Sequence, residues 1–592
     1  MLQARLIIAL CAILFASSTR AVDPAVIEAQ NRRIAVVDTV APAVVAIFGA
    51  SGGGGGSGIL ISPDGYALTN FHVTSSVGNF MKCGLNDGVL YDAVIVGIDP
   101  TGDVALIKLL GRDDFPTSLL GDSDTLKVGD WVFAMGNPFL LATEFQPTVT
   151  YGIVSGVHRY QYPARTFLEY TDCIQVDASI NPGNSGGPLF NDGGELVGIN
   201  GRASFEKRGR VNSGAAYAIS INQIKHFMDH LRSGRIVDHA TLGATVSTEP
   251  DGSVVIAGIL KESEAYRRGL RLDDEIVSFA GRPIRSVNQF KNILGIFPKG
   301  WKLPLVYRHE GRKHEIHVRL RGLHHKSKLM PQQRRPRQLE PQPKKPDNKN
   351  PEGKKPKPQP GQLPRLRRGR PQPPEKHKHL FIQKAGYANY YFNKLQQDRV
   401  LLSLGTLGKF SDVSGTWRLL GQTSSAKPFE FFLSNKALTL EVGRTPYLQE
   451  LDKDLLDEPP GTGGLLVALH HLRLLLTQGG TPFTEFSYLG SEPLDGRGEH
   501  VDVIISVLTS VESRWYFSKK DGSFVGYDTR LSDDVDACEV RFQGSAEFDG
   551  RKLPARLQVR SGGQEYGMFH LEQAILAASP KEKKPDTNDA GK

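Results

Sequence analysis

One short stretch, residues 175–189, limits the folds open to this chain more than any other. It reads Gln-Val-Asp-Ala-Ser-Ile-Asn-Pro-Gly-Asn-Ser-Gly-Gly-Pro-Leu and places Ser185 among glycines, between two segments with the composition of β-strands. Glycine permits backbone angles that residues with a side chain resist. We predict a turn that presents the Ser185 hydroxyl outward, with the backbone of Gly183, Asn184 and Ser185 forming an oxyanion hole. Each amide donor in such a hole stabilises an acyl-transfer transition state by roughly 3 kcal/mol.

A histidine and an aspartate upstream could activate this serine, which is a weak nucleophile unless a base removes its proton. A predicted strand ends at His72, and Asp103 stands at the start of an apolar strand. The order histidine, aspartate, serine is that of chymotrypsin-type enzymes, whereas subtilisin-type and α/β-hydrolase enzymes use other orders. We predict that His72 is the general base, that Asp103 orients it and that Ser185 is the nucleophile.

Two other interpretations of the Ser185 stretch are weaker. A plain glycine-rich hairpin would be favoured only if the serine stood alone. The Gly-x-Ser-x-Gly pattern also fits α/β-hydrolases, but that fold places histidine after serine and alternates strands with long helices, which this sequence does not. Short strands with turn residues between them indicate a pair of β-barrels instead. The five glycines at residues 52–56 are predicted to form a loop, because no Gly-Lys-Ser/Thr follows them.

Several motifs in the N-terminal half resemble those of the HtrA family of trypsin-fold serine proteases, over roughly residues 33–320. The motifs are Thr-Asn-Phe-His-Val at 69–73, the Asp103 strand, and residues 120–139, 148–156 and 181–189. The resemblance implies a mainly β chain in which residues 22–235 form a chymotrypsin-like double β-barrel protease domain. It also implies a homotrimer built partly by the segment at 22–32.

The substrate pocket is predicted from the residue six positions before the serine. That residue is Ser179, followed by Ile180, whereas a pocket selective for basic side chains would have an aspartate there. We therefore expect cleavage after small or medium aliphatic residues. Ala216 is expected to line the same pocket, in a strand at 214–220 whose edge pairs with the substrate backbone. Residues 200–213 are expected to be a loop beside the pocket.

Residues 237–320 resemble a PDZ domain. Leu242, Gly243 and Ala244 stand where the carboxylate-binding loop of that family belongs, so the resemblance implies binding of peptide C-termini as an added strand. The sequence departs from the family pattern at Glu264, where proline is usual, and at Asp273, where glycine is usual. A packing module that binds nothing is therefore the alternative.

Residues 321–378 differ in composition from the rest of the chain. They contain 18 Lys and Arg against 4 Asp and Glu, while the whole chain has a net charge of only +9. With prolines every few residues, this segment is predicted to be a disordered, extended linker. Its charge could contact anionic surfaces, but it has no aromatic residues for base stacking, so we expect no specific nucleic acid.

Residues 380–578 are predicted to form a β-rich α+β domain in which we find no catalytic constellation. Helices are expected at 381–395 and 463–478, and hairpin turns at the Asp-Gly pairs 521–522 and 549–550. Residues 515–526 and 547–556 resemble the curved sheet of periplasmic lipoprotein-carrier folds, which implies a similar sheet here. Residues 579–592 are predicted to be a disordered tail.

The first 21 residues predict export. They have a positive charge at Arg5, a short apolar run and small residues at a cleavage position, which is typical of a signal peptide. Periplasmic or secreted localisation is therefore expected. Cys83, Cys173 and Cys538 remain after cleavage, and three cysteines cannot all pair. Cys83 and Cys173 could form a bridge, but nothing in their spacing requires it, so we expect three buried free thiols. The predicted Ser-His-Asp mechanism requires no cofactor and no metal ion.

The combined prediction is an exported serine endopeptidase of HtrA type that cleaves unfolded or damaged proteins and peptides. It would act through a Ser-His-Asp acyl-enzyme mechanism, with a PDZ domain that binds peptide C-termini. The alternative is a non-proteolytic chaperone or scaffold that uses the protease barrel and the C-terminal domain for binding.

Overall fold

The computed structural model describes residues 22–49, 55–137, 144–161, 168–205, 212–325, 329, 375–451 and 458–578. The predicted signal peptide, most of the basic linker and the C-terminal tail lie outside the described residues. No helix in the described part of the chain is both long and apolar enough to span a membrane. The three cysteines are buried and unpaired, as expected.

Two closed barrels of six antiparallel strands form the N-terminal half, which confirms the predicted double-barrel architecture. The first barrel has the order β1-β2-β3-β6-β5-β4. Its strands are β1 (Val44–Gly49), β2 (Gly55–Leu60), β3 (Tyr66–Thr69), β4 (Phe80–Gly84), β5 (Leu90–Asp99) and β6 (Val104–Leu109). Val45, Ile59 and Leu68 from three of these strands are completely buried inside it, because alternate side chains of each strand point inward.

The second barrel has the order β10-β11-β12-β9-β8-β7. Its strands are β7 (Trp131–Gly136), β8 (Thr148–Gln161), β9 (Tyr170–Val176), β10 (Pro188–Asn191), β11 (Leu196–Phe205) and β12 (Asn212–Ser220). The strand β11 includes the first six residues of the segment 200–213 that was expected to be a loop, because Arg202, Ala203 and Phe205 pair with β12.

Helices flank the barrels. Helix α1 (Pro24–Val40) includes most of the segment 22–32 and extends beyond it, and it starts at an Asp23 cap followed by proline at its first position. Helix α2 (Phe71–Val77) contains His72, so the predicted strand ends at Thr69 and a short helix follows. Helix α3 (Ile221–Arg232) follows the second barrel, with Ser220 as its cap. Apolar residues at helical spacing predict a connecting helix at residues 221–234, and the structure confirms it.

The next unit, which we call the middle domain, lies between residues 240 and 322. Its main sheet has the order β14-β15-β16-β18-β19, and β17 pairs with β16, while β13 pairs with β20. Its elements are β13 (Ala240–Thr241), β14 (Ala244–Thr248), β15 (Val254–Ile259), α4 (Glu264–Arg267), β16 (Glu275–Phe279), β17 (Arg282–Pro283), α5 (Val287–Gly295), β18 (Lys302–His309), β19 (Arg312–Arg319) and β20 (Arg321–Gly322). A core of its own, which includes Phe279, Phe290 and Trp301, fills the space between sheet and helix.

The C-terminal domain is one antiparallel sheet of eleven strands in the order β24-β23-β22-β21-β31-β30-β29-β28-β27-β26-β25. Its strands are β21 (Trp417–Thr423), β22 (Pro428–Leu433), β23 (Ala437–Val442), β24 (Thr445–Glu450), β25 (Glu485–Pro493), β26 (His500–Leu508), β27 (Val511–Ser518), β28 (Phe524–Arg530), β29 (Cys538–Phe548), β30 (Arg551–Ser561) and β31 (Gln564–Leu576). Both predicted Asp-Gly hairpin turns are confirmed, between β27 and β28 and between β29 and β30.

Two helices belong to this half of the chain. Helix α7 (Leu465–Gln478) agrees with the prediction and is buried almost all round, as expected of a helix that is apolar on every face. Helix α6 (Tyr390–Leu401) starts nine residues later than predicted. The reason is tertiary: the side chain of Asn389 caps α6 and also donates to the carbonyl oxygen of Ile95, at 2.9 Å. Phe392 then packs in the core of the first barrel.

Candidate active site

His72 and Asp103 form a hydrogen-bonded pair at one end of the first barrel. Nδ1 of His72 lies 2.8 Å from Oδ2 of Asp103, and the His72 amide donates to Oδ1 at 3.0 Å. Asp103 is fully buried, whereas 44% of the His72 side chain is exposed. The carboxylate therefore fixes the ring orientation and leaves Nε2 directed away from the aspartate.

Asp103 is held by partners from several elements. The Tyr170 hydroxyl of β9 donates to Oδ2 at 2.6 Å, and the Asn70 side chain donates to the Asp103 carbonyl oxygen at 3.0 Å. Asp103 has a φ of 58°, in the left-handed region that non-glycine residues enter only when the surroundings impose it. Strain of this kind is common at functional sites.

The turn that carries Ser185 is attached to the first barrel through Ser57 of β2. The Ser57 hydroxyl donates to the carbonyl oxygen of Gly183 at 2.6 Å, and its amide donates to the carbonyl oxygen of Ser185 at 2.9 Å. Gly186 has a φ of 84°, and a Cβ there would lie 2.3 Å from Oγ1 of Thr69. Position 186 therefore requires glycine, because the backbone there lies too close to Thr69 for a side chain. This contact places the Ser185 turn next to the segment that leads into His72.

The predicted oxyanion hole has free donors. Within the described residues, the amides of Gly183 and Ser185 donate to no hydrogen-bond acceptor, and Gly183 has a φ of 107°. The amide of Asn184 instead donates to the carbonyl oxygen of Asn181 at 2.9 Å, and the Asn184 side chain is buried. Two of the three predicted residues thus offer an N–H group to a ligand.

The Ser185 hydroxyl donates to the carbonyl oxygen of Gly201 at 3.4 Å and forms no hydrogen bond with His72. Gly201 is itself in contact with Tyr170, since a Cβ there would lie 2.8 Å from the tyrosine ring. Catalysis through His72 would require rotation of the Ser185 side chain toward Nε2.

The electrostatics of the pair suit a general base. Burial lowers the pKa of His72, but the hydrogen bond to Asp103 and the charge of that carboxylate more than offset this effect, so the pKa lies above its ordinary value. The neutral ring would therefore accept a proton more readily than a free histidine.

The predicted pocket residues are all in the second barrel. Ser179 is exposed, and its carbonyl oxygen accepts from the Thr150 hydroxyl at 3.0 Å, whereas Ile180 and Ala216 are buried in the same apolar cluster. The expectation of a free edge along the strand at 214–220 does not hold at residues 216–218 of β12, because these residues pair with β11 on one side and with β9 on the other. Closure of the barrel accounts for this difference.

The predicted carboxylate-binding loop lies between β13 and β14. Leu242 is buried, Gly243 has a φ of 74°, and the Gly243 amide donates to Oγ1 of Thr241 at 3.2 Å. Ala244 begins β14, which pairs only with β15 among the described strands. The loop therefore stands beside a free sheet edge, with its glycine amide already satisfied.

Among the described residues, one group of histidine and acidic side chains could surround a metal ion: Asp124, His158 and Asp172. Nδ1 of His158 lies 2.6 Å from Oδ1 of Asp172, and the hydrogen bond that the ring donates to this carboxylate raises the His158 pKa. Arg282 of the middle domain already supplies a positive charge, with one guanidinium nitrogen 2.6 Å from Oδ2 of Asp124 and another 3.9 Å from Asp172. We therefore interpret this cluster as an ion-pair network between the second barrel and the middle domain.

Two residues of the site, Ser57 and Tyr170, were not predicted from the sequence. Ser57 was hidden by the glycine run before it, and Tyr170 is one aromatic residue among many. No local pattern marks either residue, because their partners Gly183 and Asp103 are distant along the chain.

Comparisons with known proteins agree with this geometry. Residues 56–199 match the model of the trypsin-like peptidase domain. The chain is 36% identical over 274 residues to a protein of Chlamydia trachomatis named "Probable periplasmic serine endoprotease DegP-like", and 37% identical over 275 residues to one of Pseudomonas savastanoi with the same name. Each match covers 44% of this chain, and the matches cover 53% and 55% of those relatives, so the chain spans about half their length.

Two solved structures also align with about half of the chain. A structure described as the HtrA-type protease AlgW with tripeptide is 31% identical, covers 49% of this chain and 96% of its own, and has a TM-score of 0.41. The serine endoprotease from Yersinia pestis is 29% identical, with a TM-score of 0.36 and coverage of 50% and 98%. Residues 56–199 form a trypsin-like peptidase domain, and the matched 44% of the chain is homologous to proteins named DegP-like serine endoproteases.

Proposed function

We propose that this chain is a serine endopeptidase that cleaves unfolded protein chains through an acyl-enzyme. The observation that carries the proposal is the bond between Nδ1 of His72 and Oδ2 of Asp103, at 2.8 Å, beside the Ser185 turn. The free amides of Gly183 and Ser185 add the donors that acyl transfer needs. The homology to DegP-like serine endoproteases supports the same activity.

The mechanism follows from these groups. After rotation toward His72, the Ser185 hydroxyl gives its proton to Nε2 and attacks the scissile carbonyl carbon. The Gly183 and Ser185 amides stabilise the oxyanion, and Asp103 stabilises the imidazolium. His72 then protonates the leaving amine, and a water molecule activated by the same ring releases the acyl group from Ser185.

The proposed pocket selects small or medium aliphatic side chains. Ser179 carries no charge that would attract a basic side chain, and the adjoining Ile180 and Ala216 are apolar. A hydrophobic pocket discriminates between side chains by about 1–3 kcal/mol per methylene, so a graded preference is expected rather than an absolute one.

We also propose that the middle domain is a PDZ domain that binds peptide C-termini. The free edge of β14 supports this proposal, because an extended peptide could pair with it, and Leu242, Gly243 and Ala244 lead into that strand. The internal bond of the Gly243 amide limits the loop to its other donors for the terminal carboxylate. Binding of labelled peptides with free or amidated C-termini would test this role.

A homotrimer is proposed on the face that α1 and the second barrel share. Val26 and Ile34 of α1 are half exposed, and the exposed rings of Trp131 and Tyr151 stack at 4.6 Å, with Arg33 over Tyr151. Apolar side chains exposed together often mark protein interfaces. Sedimentation of the wild type beside Trp131→Ser would test whether this face associates.

The relatives named as periplasmic support export of this chain to the periplasm, in agreement with the predicted signal peptide. Substrates there would be unfolded or damaged proteins. Contact of the basic linker with anionic surfaces stays a prediction, since most of the linker lies outside the described residues.

The decisive assay compares the wild type with Ser185→Ala on unfolded casein. The wild type is expected to release peptides, and the variant is not. Suppression of aggregation, with no cleavage by either protein, would instead support the chaperone alternative. That alternative draws on one observation, namely that the Ser185 hydroxyl donates to Gly201 and not to His72.

A further inference from the structure

A buried histidine connects the turn that carries Asp103 with the middle domain. His239 lies between α3 and β13, and only 2% of its side chain is exposed. Its Nε2 is 2.8 Å from Oδ2 of Asp99, and its Nδ1 is 2.6 Å from the carbonyl oxygen of Gly295, the last residue of α5. Carboxylate and carbonyl oxygens only accept hydrogen bonds, so both ring nitrogens must carry hydrogen when both bonds form. His239 is therefore an imidazolium in this arrangement.

The surroundings support the charged ring. Burial lowers the pKa of His239, but the charge and hydrogen bond of Asp99 raise it more, with smaller contributions from the Gly295 carbonyl and the charge of Asp238. The ring of Phe227 stacks on the imidazole at 4.5 Å and shields it from water. The ion pair is thus enclosed by α3, the Asp99 turn and the end of α5.

Asp99 uses its other oxygen to hold the turn that leads to Asp103. Oδ1 accepts from the amides of Thr101 at 3.0 Å and Gly102 at 2.8 Å. A Cβ at Gly102 would lie 2.4 Å from Oδ2 of Asp99 and 3.1 Å from Nε2 of His239, so the turn packs directly against the ring.

The backbone of Asp103 depends on this turn. Its φ of 58° needs support from neighbouring residues, and its carboxylate contacts both His72 and Tyr170. A small displacement of the turn would therefore misplace the carboxylate that orients His72.

We propose that His239 is a positioning residue for Asp103, which it holds in place through Asp99 while it ties the turn to the end of α5. The middle domain thereby contributes to the geometry of the catalytic pair. This inference rests on the proposed function, because it requires Asp103 to act in proteolysis.

The test uses His239→Ala and His239→Gln in the full chain, with His309→Ala as the matched control. His309 forms a similar pair, with Nδ1 2.6 Å from Oδ1 of Asp274, but its ring is 42% exposed and it lies in the middle domain. Cleavage of fluorescein-labelled casein gives kcat and KM, the pH profile of kcat/KM gives the His72 pKa, and thermal unfolding gives Tm.

We expect His239→Ala to lower kcat at least about tenfold, since a misplacement of about 1 Å can cost ~10²-fold, while KM changes less than about twofold. The acid limb of the profile should move to lower pH, because a misplaced Asp103 raises the His72 pKa less. His239→Gln keeps a hydrogen-bond donor without the positive charge, so both the loss of kcat and the shift of the acid limb should be smaller. His309→Ala should change neither quantity.

A merely structural role would lower Tm but leave the kcat per folded molecule and the acid limb unchanged, and that result would overturn the inference. Should His239→Ala fail to fold, His239→Gln decides by the same criteria. A readout independent of cleavage is the NMR resonance of the His72 Nδ1 proton, measured in Ser185→Ala with and without His239→Gln. An unchanged resonance contradicts the inference even if the chain proves inactive, which would separately contradict the proposed function.

Discussion

The hydroxyl of Ser57 donates to the carbonyl oxygen of Gly183, at 2.6 Å, across the crevice between the two barrels. This bond fixes the peptide plane next to the proposed oxyanion hole, and the same hydroxyl accepts from the amide of Asn137 at 2.8 Å. One small side chain of the first barrel thereby sets the geometry of a loop from the second.

Replacing Ser57 with alanine should loosen the oxyanion hole. We expect kcat to fall by roughly 10–10²-fold with little change in KM, less than the 10²–10³-fold loss typical when an oxyanion donor is removed outright. Steady-state cleavage of a peptide substrate measures this effect. Ser62→Ala removes an exposed hydroxyl bonded to Asp64 in the first barrel and should leave kcat unchanged. Equal kcat for Ser57→Ala and the wild type would contradict the role of Ser57.

Two substitutions around Asp103 should move the acid limb of the pH profile in opposite directions. The limb reports the His72 pKa, since activity is lost as pH falls and the ring becomes protonated. Asp103→Asn removes the negative charge that raises this pKa, so the limb should move to lower pH, with a loss in kcat of roughly 10⁴-fold.

Tyr170→Phe removes a hydroxyl that donates to Oδ2 of Asp103, the oxygen that also faces His72. Without this donor the carboxylate interacts more strongly with the imidazolium and raises the His72 pKa further, so the limb should move to higher pH with a modest loss of kcat. The two profiles of kcat/KM are measured between pH 5 and 9 on the same substrate, with the wild type beside them. Shifts in the same direction for both variants would argue against an Asp103–His72 pair in the active enzyme.

The middle and C-terminal domains should unfold together, because a buried charge network joins them. Arg319 of β19 donates to Glu492 at 2.9 Å and to Asp528 at 2.8 Å, and both carboxylates are almost fully buried. Arg319→Ala leaves both carboxylates without this partner and should lower the free energy of unfolding by about 3–5 kcal/mol. Arg308→Ala, in an exposed pair with Glu275, should cost about 0–1 kcal/mol.

Urea unfolding monitored by tryptophan fluorescence measures both effects. Similar midpoints for the Arg319→Ala and Arg308→Ala variants would show that the network contributes little to stability.

Acid should destabilise the C-terminal domain through two adjacent buried histidines of α7. Burial lowers the pKa of His470 to about 4 and of His471 to about 3, whereas an unfolded histidine titrates near 6.5. The unfolded chain therefore binds more protons below about pH 6.5, and stability should fall as pH decreases from there toward 4. The slope is at most ~1.4 kcal/mol per pH unit for each histidine.

His471→Asn removes one of the two groups that take up a proton on unfolding, so stability should depend less steeply on pH. His314→Asn, at an exposed position, should not change the slope. Urea midpoints at pH 7, 6 and 5 provide the slopes. A slope that is identical in all three proteins would rule out His471 as a source of the acid sensitivity.

Local patterns predicted most strands of the two barrels, the helix at Ile221–Arg232 and a glycine with unusual backbone angles next to the serine, because each of these features depends on neighbouring residues. Contacts between distant residues were not predictable. Ser57 forms a hydrogen bond with Gly183, 126 positions away, and Tyr170 forms one with Asp103, 67 positions away. Neither role therefore has a local sequence pattern. Helix α6 starts late for the same reason, since its cap depends on a partner in the first barrel.

The most direct measurement of the central claim is active-site labelling with a fluorophosphonate, followed by mass spectrometry of the intact chain and its peptides. We expect one adduct per chain on Ser185, formed rapidly in the wild type, slowly in His72→Ala and not at all in Ser185→Ala. No adduct on Ser185 in the folded wild type, or labelling that does not depend on His72, would contradict the proposal that these side chains form a catalytic site.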